Sequence, residues 1–313
     1  MARRGLGVRS GSWLAAADRC AGPIVVVGRP RSGTRLLARL LREAGVFMGV
    51  DQSAGYLDSI GWFLRFVAPL VTSKWFPDWP PWEDEADFAT FCGKCVDEAG
   101  REFFGDCKPE GVWGWKFPET LFVMPIVKQV FPQAKFIHLI RDGRNVCLSR
   151  NGFFQLTGPQ ADYAGWNVRV PGGGGCATPR YRDYCLAVAF GSSASHFWRT
   201  IDLADPVQLL ANRFLLQMQS WVHCVSSARK AGQALGEDYL EIHYEELCRR
   251  PDETLKSLSY GLQIGWDEHA AGSDRGITPV RGATARLSLA EARDYDRAVA
   301  FGTPLLRELG YLS

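Results

Sequence analysis

The sequence predicts an α/β fold: one parallel sheet with helices on both faces, in a single domain with irregular insertions. Two segments carry that reading. At residues 24–43, and again at 135–150, a short apolar strand runs through a tight turn into an amphipathic helix. A further strand at 239–242 followed by a helix at 252–262 continues the alternation. Ligands of such sheets bind at the carboxyl ends of the strands, where the loops at 28–34 and 141–149 both fall.

The elements follow in chain order. Residues 1–21 read as a weakly ordered basic lead, and the apolar run Trp13 to Ala17 is too short for the core of a signal peptide. Ile24 to Val27 form a buried strand, and the segment LLARLLREAG forms the helix after it. Residues 46–110 read as irregular and rich in aromatics, including Trp75, Trp79 and Trp82. The segment WGWKFPE at 113–119 places Lys116 just after a short aromatic strand. Glu119 to Phe131 read as a helix that Pro132 stops. Phe136 to Ile140 form the next strand, and Asp142-Gly143-Arg144 opens a helix that carries Ser149. Residues 151–205 are rich in glycine and aromatics, with PGGGG at 171–175, and read as a flexible loop region. Gln208 to Lys230 read as one long amphipathic helix. No internal repeat is present.

Composition sets bounds. With 313 residues, 46% of them hydrophobic, the chain can bury a sizeable core. Its 36 basic and 34 acidic residues nearly cancel, which argues against a nucleic-acid coat and against a polybasic membrane skin. Without a run of 18 apolar residues, no membrane span is expected. Nine cysteines, an odd number, suit reduced thiols in a cytoplasmic protein. Cys92 and Cys95 have the spacing of a metal or redox pair, but no second pair at zinc spacing follows them.

The turn at 28–34, GRPRSGT, is the most informative stretch. Its N–H groups and the dipole of the helix that follows converge on one point, and Arg31, Ser32 and Thr34 add three donors there. That is a cradle for a phosphate-like anion. The bland alternative is an ordinary tight strand–helix turn. Gly28-x4-Gly33 is the spacing of a nucleotide P-loop, yet a Walker loop needs Lys and then Ser or Thr after the second glycine, and here Thr34 and Arg35 stand there. The cation has moved inside the loop, to Arg31. In the second segment, Arg141 at the strand end and Ser149 eight residues on can take the oxygens of one phosphate, the arginine as a two-pronged fork. The alternative is an Arg–Asp surface turn.

Together these segments resemble the sulfotransferases that use 3'-phosphoadenosine 5'-phosphosulfate (PAPS). The loop at 28–34 resembles their 5'-phosphosulfate loop, and Arg141 with Ser149 their 3'-phosphate motif. Lys116, followed by Phe117-Pro118, matches a lysine that many of them carry between the leaving phosphate and the moving sulfuryl group. LEIHYEEL at 240–247 looks like a late strand and turn whose tyrosine, here Tyr244, lies near the nucleotide, and Val280-Arg281-Gly282 resembles a final 3'-phosphate contact. The resemblance runs from residue 22 to 313 and is thin over the variable acceptor-side region 151–205.

It implies nucleotide binding by Arg31, Ser32, Gly33, Thr34, Arg35, Arg141, Ser149, Tyr244 and Arg281, and catalysis by Lys116, Arg31 and an acceptor base. Arg35 departs from the family, which often has a second threonine there. So does Pro118, where cytosolic members have a histidine base. Other relatives use a carboxylate after the first helix, which makes Asp58 the first choice, with Asp51 and Glu119 behind it. His138, on a buried-looking strand, reads as a core residue. The implied reaction moves a sulfuryl group to a hydroxyl of a small-molecule or carbohydrate acceptor and leaves adenosine 3',5'-bisphosphate. It needs no metal if Arg31 and Lys116 supply the charge. The implied protein is bacterial in style and cytoplasmic, without nucleic acid or membrane partners, and a homodimer is left open. A P-loop kinase or NTPase and a non-catalytic nucleotide-binding module are the alternatives.

Overall fold

In the computed structural model, residues 21–50, 63–75, 85–105, 111–149, 206–263 and 287–313 are described. Four strands form one sheet: β1 (Ala21–Val27), β2 (Val112–Lys116), β3 (Lys135–Ile140) and β4 (Tyr239–His243), in the order β2-β1-β3-β4. All three pairings are parallel, with Val26 opposite Lys116 and Ile137, and Ile140 opposite His243. The carboxyl ends of all four strands therefore open on one side of the molecule.

Alternation along the strands explains the two layers. Val25, Val27, Trp113, Trp115 and Phe136 face one way, onto α2 (Ala68–Trp75), α3 (Glu85–Phe104) and α4 (Met124–Val130). Ile24, Val26, Ile137 and Leu139 face the other, onto α1 (Thr34–Glu43), α8 (Tyr244–Arg249) and α9 (Pro251–Leu262). Helix α1 buries Leu37, Ala38, Leu40 and Leu41, the 3.6-residue stripe its sequence shows. A third cluster joins Ile140 and α5 (Gly143–Cys147) to α7 (Arg213–Gln233) and α10 (Leu289–Glu308), beyond the end of the sheet. A capping box at Ser288 and Glu291 starts α10, each satisfying the other's backbone N–H. None of the described helices is long and apolar enough to cross a membrane.

The expected α/β sheet with helices on both faces is found, and four details differ. Residues 46–110 are not irregular throughout: a π-helical turn at Phe63–Val67 leads into α2, and α3 spans 20 residues. Phe91, Cys92, Cys95, Val96, Ala99 and Phe103 make the buried stripe of α3, a helical period that aromatics and cysteines disguise. Cys92 and Cys95 are thus core residues, and burial pushes the Cys92 thiol up to about 12, against thiolate chemistry. The single helix expected over 119–131 is a 3-10 turn, Pro118–Phe122, followed by α4. The long helix expected from Gln208 breaks at Asn212, between α6 (Pro206–Ala211) and α7. Helix α5 ends at Cys147, so Ser149 lies two residues past it rather than on it.

The tryptophans that flank the sheet are structural. Trp113, Trp115 and Trp221 are fully buried, whereas Trp79 and Trp82 lie outside the described residues. Trp115 packs edge-on to Phe131, and its indole N–H reaches the Thr120 hydroxyl at 3.5 Å. Trp115→Ala should lower unfolding stability by about 3–5 kcal/mol, the range for emptying a buried aromatic site. A urea denaturation midpoint checks it.

Candidate active site

Strand β1 lies between β2 and β3, so the loops that leave these three strands become neighbours. After β1 the chain turns on Arg29, whose carbonyl accepts the Ser32 N–H at 3.0 Å. Arg31 then adopts φ 80°, and Gly33, at φ 92°, opens α1. No side chain caps α1 and no acid stands in its first turn, so its positive pole faces the loop uncompensated. Gly33 is required here twice over. Its φ is left-handed, and a Cβ at this position would collide with the Tyr244 ring.

Arg141, at the end of β3, is drawn to the same place. Its Nη1 donates to the Arg31 carbonyl at 3.2 Å, and its guanidinium lies 4.6 Å from the centre of the Tyr244 ring. The surface-turn alternative fails on a specific pairing: Asp142 takes Arg144, not Arg141. The Asp142 carboxylate accepts from the Arg144 guanidinium at 2.7–3.1 Å and caps α5 through the Arg144 N–H. Glu245 accepts the Asp142 N–H at 3.0 Å and the Tyr311 hydroxyl at 3.0 Å, which ties this turn to α8. Arg31, Gly33, Arg141 and Tyr244 are thus brought together. Ser149 is half-buried, and its N–H donates to the Val146 carbonyl at 3.1 Å.

Lys116 ends β2 beside β1 and is buried. Burial, then repulsion from Arg35, pull its ammonium down to about 7, with Glu119 opposing. Arg35 is exposed on α1. Glu119 moves the other way. Burial lifts its carboxyl to about 7, while its own backbone hydrogen bond, Lys116 and Arg29 hold it down. Asp58, Asp51 and Arg281 lie outside the described residues.

Two residues at the site were not singled out from sequence. Arg29 is buried, with Nη1 on the Pro30 carbonyl at 2.8 Å and Nη2 on Gln217 Oε1 at 3.0 Å. Gln217, on α7, is buried in turn. The signal for Arg29 is a cation at the first position after the β1 glycine. The signal for Gln217 is a lone amide inside an apolar stripe. His138, as expected, is a core residue, its Nδ1 2.6 Å from the Tyr239 hydroxyl.

Arg29 Nε, Ser32 Oγ, Glu119 Oε2 and Arg141 Nε are buried polar atoms without a hydrogen-bond partner among the described residues. All four belong to segments at the carboxyl end of the sheet. Buried polar groups are normally paired; the three donors among them, Arg29 Nε, Ser32 Oγ and Arg141 Nε, suit the oxygens of an anionic ligand, whereas the Glu119 carboxylate oxygen does not.

A sequence model of the sulfotransferase family matches residues 23–185, just over half of the chain. The chain belongs to the sulfotransferase family. The match spans the Gly28 loop, Lys116 and Arg141. Solved structures similar to this sulfotransferase include the sulfotransferase domain from the Synechococcus PCC 7002 olefin synthase, 16% identical, covering 94% of this chain and 96% of that one at a TM-score of 0.40. The sulfotransferase from Alicyclobacillus acidocaldarius is 15% identical over 90% and 92%, at a TM-score of 0.42. Sulfotransferase STF1 from Mycobacterium tuberculosis H37Rv is 13% identical over 93% and 79%, at 0.47. No curated protein sequence matches this sulfotransferase.

The lowered pKa of the buried lysine predicts a proton-linked response to an anion bound beside it. Lys116, near 7, is largely neutral in the free protein at about pH 8, and an anion beside it favours the ammonium. Binding inorganic sulfate should therefore take up protons, and affinity should fall as pH rises above 7. Glu119 shifts in the same sense. Calorimetry in buffers of different ionisation enthalpy reads the uptake, and Lys116→Met should reduce it.

Proposed function

We propose that the chain transfers a sulfuryl group from PAPS to an acceptor hydroxyl, on a small molecule or a carbohydrate. The observation that carries the reading is the meeting of Arg141 with the Arg31 carbonyl and Tyr244 at the Gly33 loop, which joins two anion-binding segments in one site. A ligand with two separated anionic groups and an aromatic base suits that arrangement. The loop would cradle the 5'-phosphosulfate through Arg31, Ser32, Gly33, Thr34 and Arg35. Arg141 and Ser149, with Arg281, would take the 3'-phosphate, and Tyr244 would lie beside the nucleotide.

Sulfuryl transfer is in-line, so positioning and charge supply most of the catalysis. The acceptor oxygen bonds to sulfur as the sulfur–bridging oxygen bond breaks. The acceptor proton passes to a base, and adenosine 3',5'-bisphosphate leaves. Lys116 and Arg31 would neutralise charge growing on the bridging oxygen, with no metal required. Asp58 is the first candidate for the base, and Glu119, whose Oε2 is buried without a partner among the described residues and whose carboxyl is lifted by burial to about 7, is the candidate within the described residues. Asp58 and Asp51 remain sequence readings. The kinase alternative lacks the Walker lysine after Gly33.

Turnover of PAPS, set against ATP with magnesium, tests the donor. Arg141→Ala should weaken binding of adenosine 3',5'-bisphosphate by on the order of 2–4 kcal/mol and that of adenosine 5'-monophosphate far less. Equal losses would remove the 3'-phosphate role. Lys116→Ala should lower kcat by roughly 10²–10³ while changing product affinity less. An unchanged kcat would exclude it from the chemistry.

For the base, kcat at saturating PAPS and acceptor should rise with pH as Glu119 loses its proton, and Glu119→Gln should abolish that limb without loss of nucleotide affinity. If Glu119→Gln keeps full activity and Asp58→Asn loses it, the base is Asp58.

A further inference from the structure

Helix α7 touches both anion-binding segments with one face. Gln217 sits one turn from Phe214 and from Trp221, among the apolar residues that α7 buries. A buried amide there is expensive unless both of its ends are paired, and a methionine of similar length would fill the stripe without that demand. Both ends are paired. Oε1 accepts from Arg29 Nη2 at 3.0 Å, and Nε2 donates to the Ser149 carbonyl at 3.3 Å. Arg29 opens the loop after β1, and Ser149 closes the segment after β3.

Four residues on, the Trp221 indole N–H donates to the Arg141 carbonyl at 2.9 Å. Its ring lies against Gly143, where a Cβ would stand 2.7 Å from it. Gln217 and Trp221 thus hold three backbone or side-chain points, at 29, 141 and 149, on one rigid helix.

We propose that Gln217 and Trp221 are positioning residues that set the spacing between the two anion subsites, so that a nucleotide carrying phosphates at both ends of its ribose meets both at once. The inference rests on the nucleotide reading above. Its physical basis is preorganisation. A ligand with two linked anions gains from the second contact only when the two subsites stand at the distance the ligand spans. Each single anion binds its own subsite whatever that distance is.

The test is calorimetry with three probes: adenosine 3',5'-bisphosphate, adenosine 5'-monophosphate and adenosine 3'-monophosphate. Wild type, Gln217→Met and Trp221→Phe are compared, the second variant keeping the ring against Gly143 while removing the N–H donor. Both variants should lose about tenfold or more in bisphosphate affinity and less than about threefold for either monophosphate. A residue that merely stabilises the fold would lower Tm and leave the ratio of bisphosphate to monophosphate affinity where it is in wild type. An unchanged ratio in both variants, with wild type preferring the bisphosphate, overturns the positioning role and spares the nucleotide reading. A wild-type protein that binds the bisphosphate no more tightly than the monophosphates overturns both.

Discussion

The structure depends on the parallel pairing of β1 with a strand on each side. Val26 stands opposite Lys116 on β2 and Ile137 on β3, so the turn after β1 is flanked on one side by Lys116 and on the other by Arg141. None of these residues is near another in sequence. The sheet brings them together, and apolar alternation on its two faces fixes the register, because a slip of one residue would turn every core side chain outward. The contacts at the site follow from that register: Arg141 Nη1 on the Arg31 carbonyl, and the ring of Tyr244 against Gly33.

A second constraint is the burial of charge that this convergence imposes. Arg29, Lys116 and Arg141 are all buried. Burial pulls Arg29 and Lys116 down, and Glu119 is lifted because its neighbours do not repay its own desolvation. Paired and unpaired carboxylates also occur away from the site: Asp294 on α10 is lifted by burial and leaves Oδ1 without a hydrogen-bond partner among the described residues. Glu241, bonded to Tyr239 and Arg229, is held at about 2 despite partial burial.

The parts legible in the sequence are those in which local and global signals agree. The apolar runs of β1 and β3 are buried strands, the glycine-spaced turn is a loop under a helix N-terminus, and the family match supports the resemblance drawn from them. Helix α3 was not legible, because Phe88, Phe91, Cys92, Cys95 and Phe103 keep a helical period with residues that read as strand or loop formers. The break at Asn212 was hidden for the opposite reason: nothing in the local pattern interrupts the helix, and tertiary packing against α10 does. Arg29 and Gln217 look like surface residues in the sequence. Only the fold shows that each is the other's partner across 188 positions.

The wide sequence separations have a kinetic meaning. Arg141 and Arg31 are 110 positions apart, Trp221 and Arg141 80, and His138 and Tyr239 101. Contacts of this range require the closure of long loops, an entropy cost that precedes the gain from pairing and slows folding. The glycine loop is short and locally coded, yet the groups that complete it arrive from distant segments. The loop takes its shape from its own residues, whereas the site is complete only once segments 80 to 110 positions apart have closed around it.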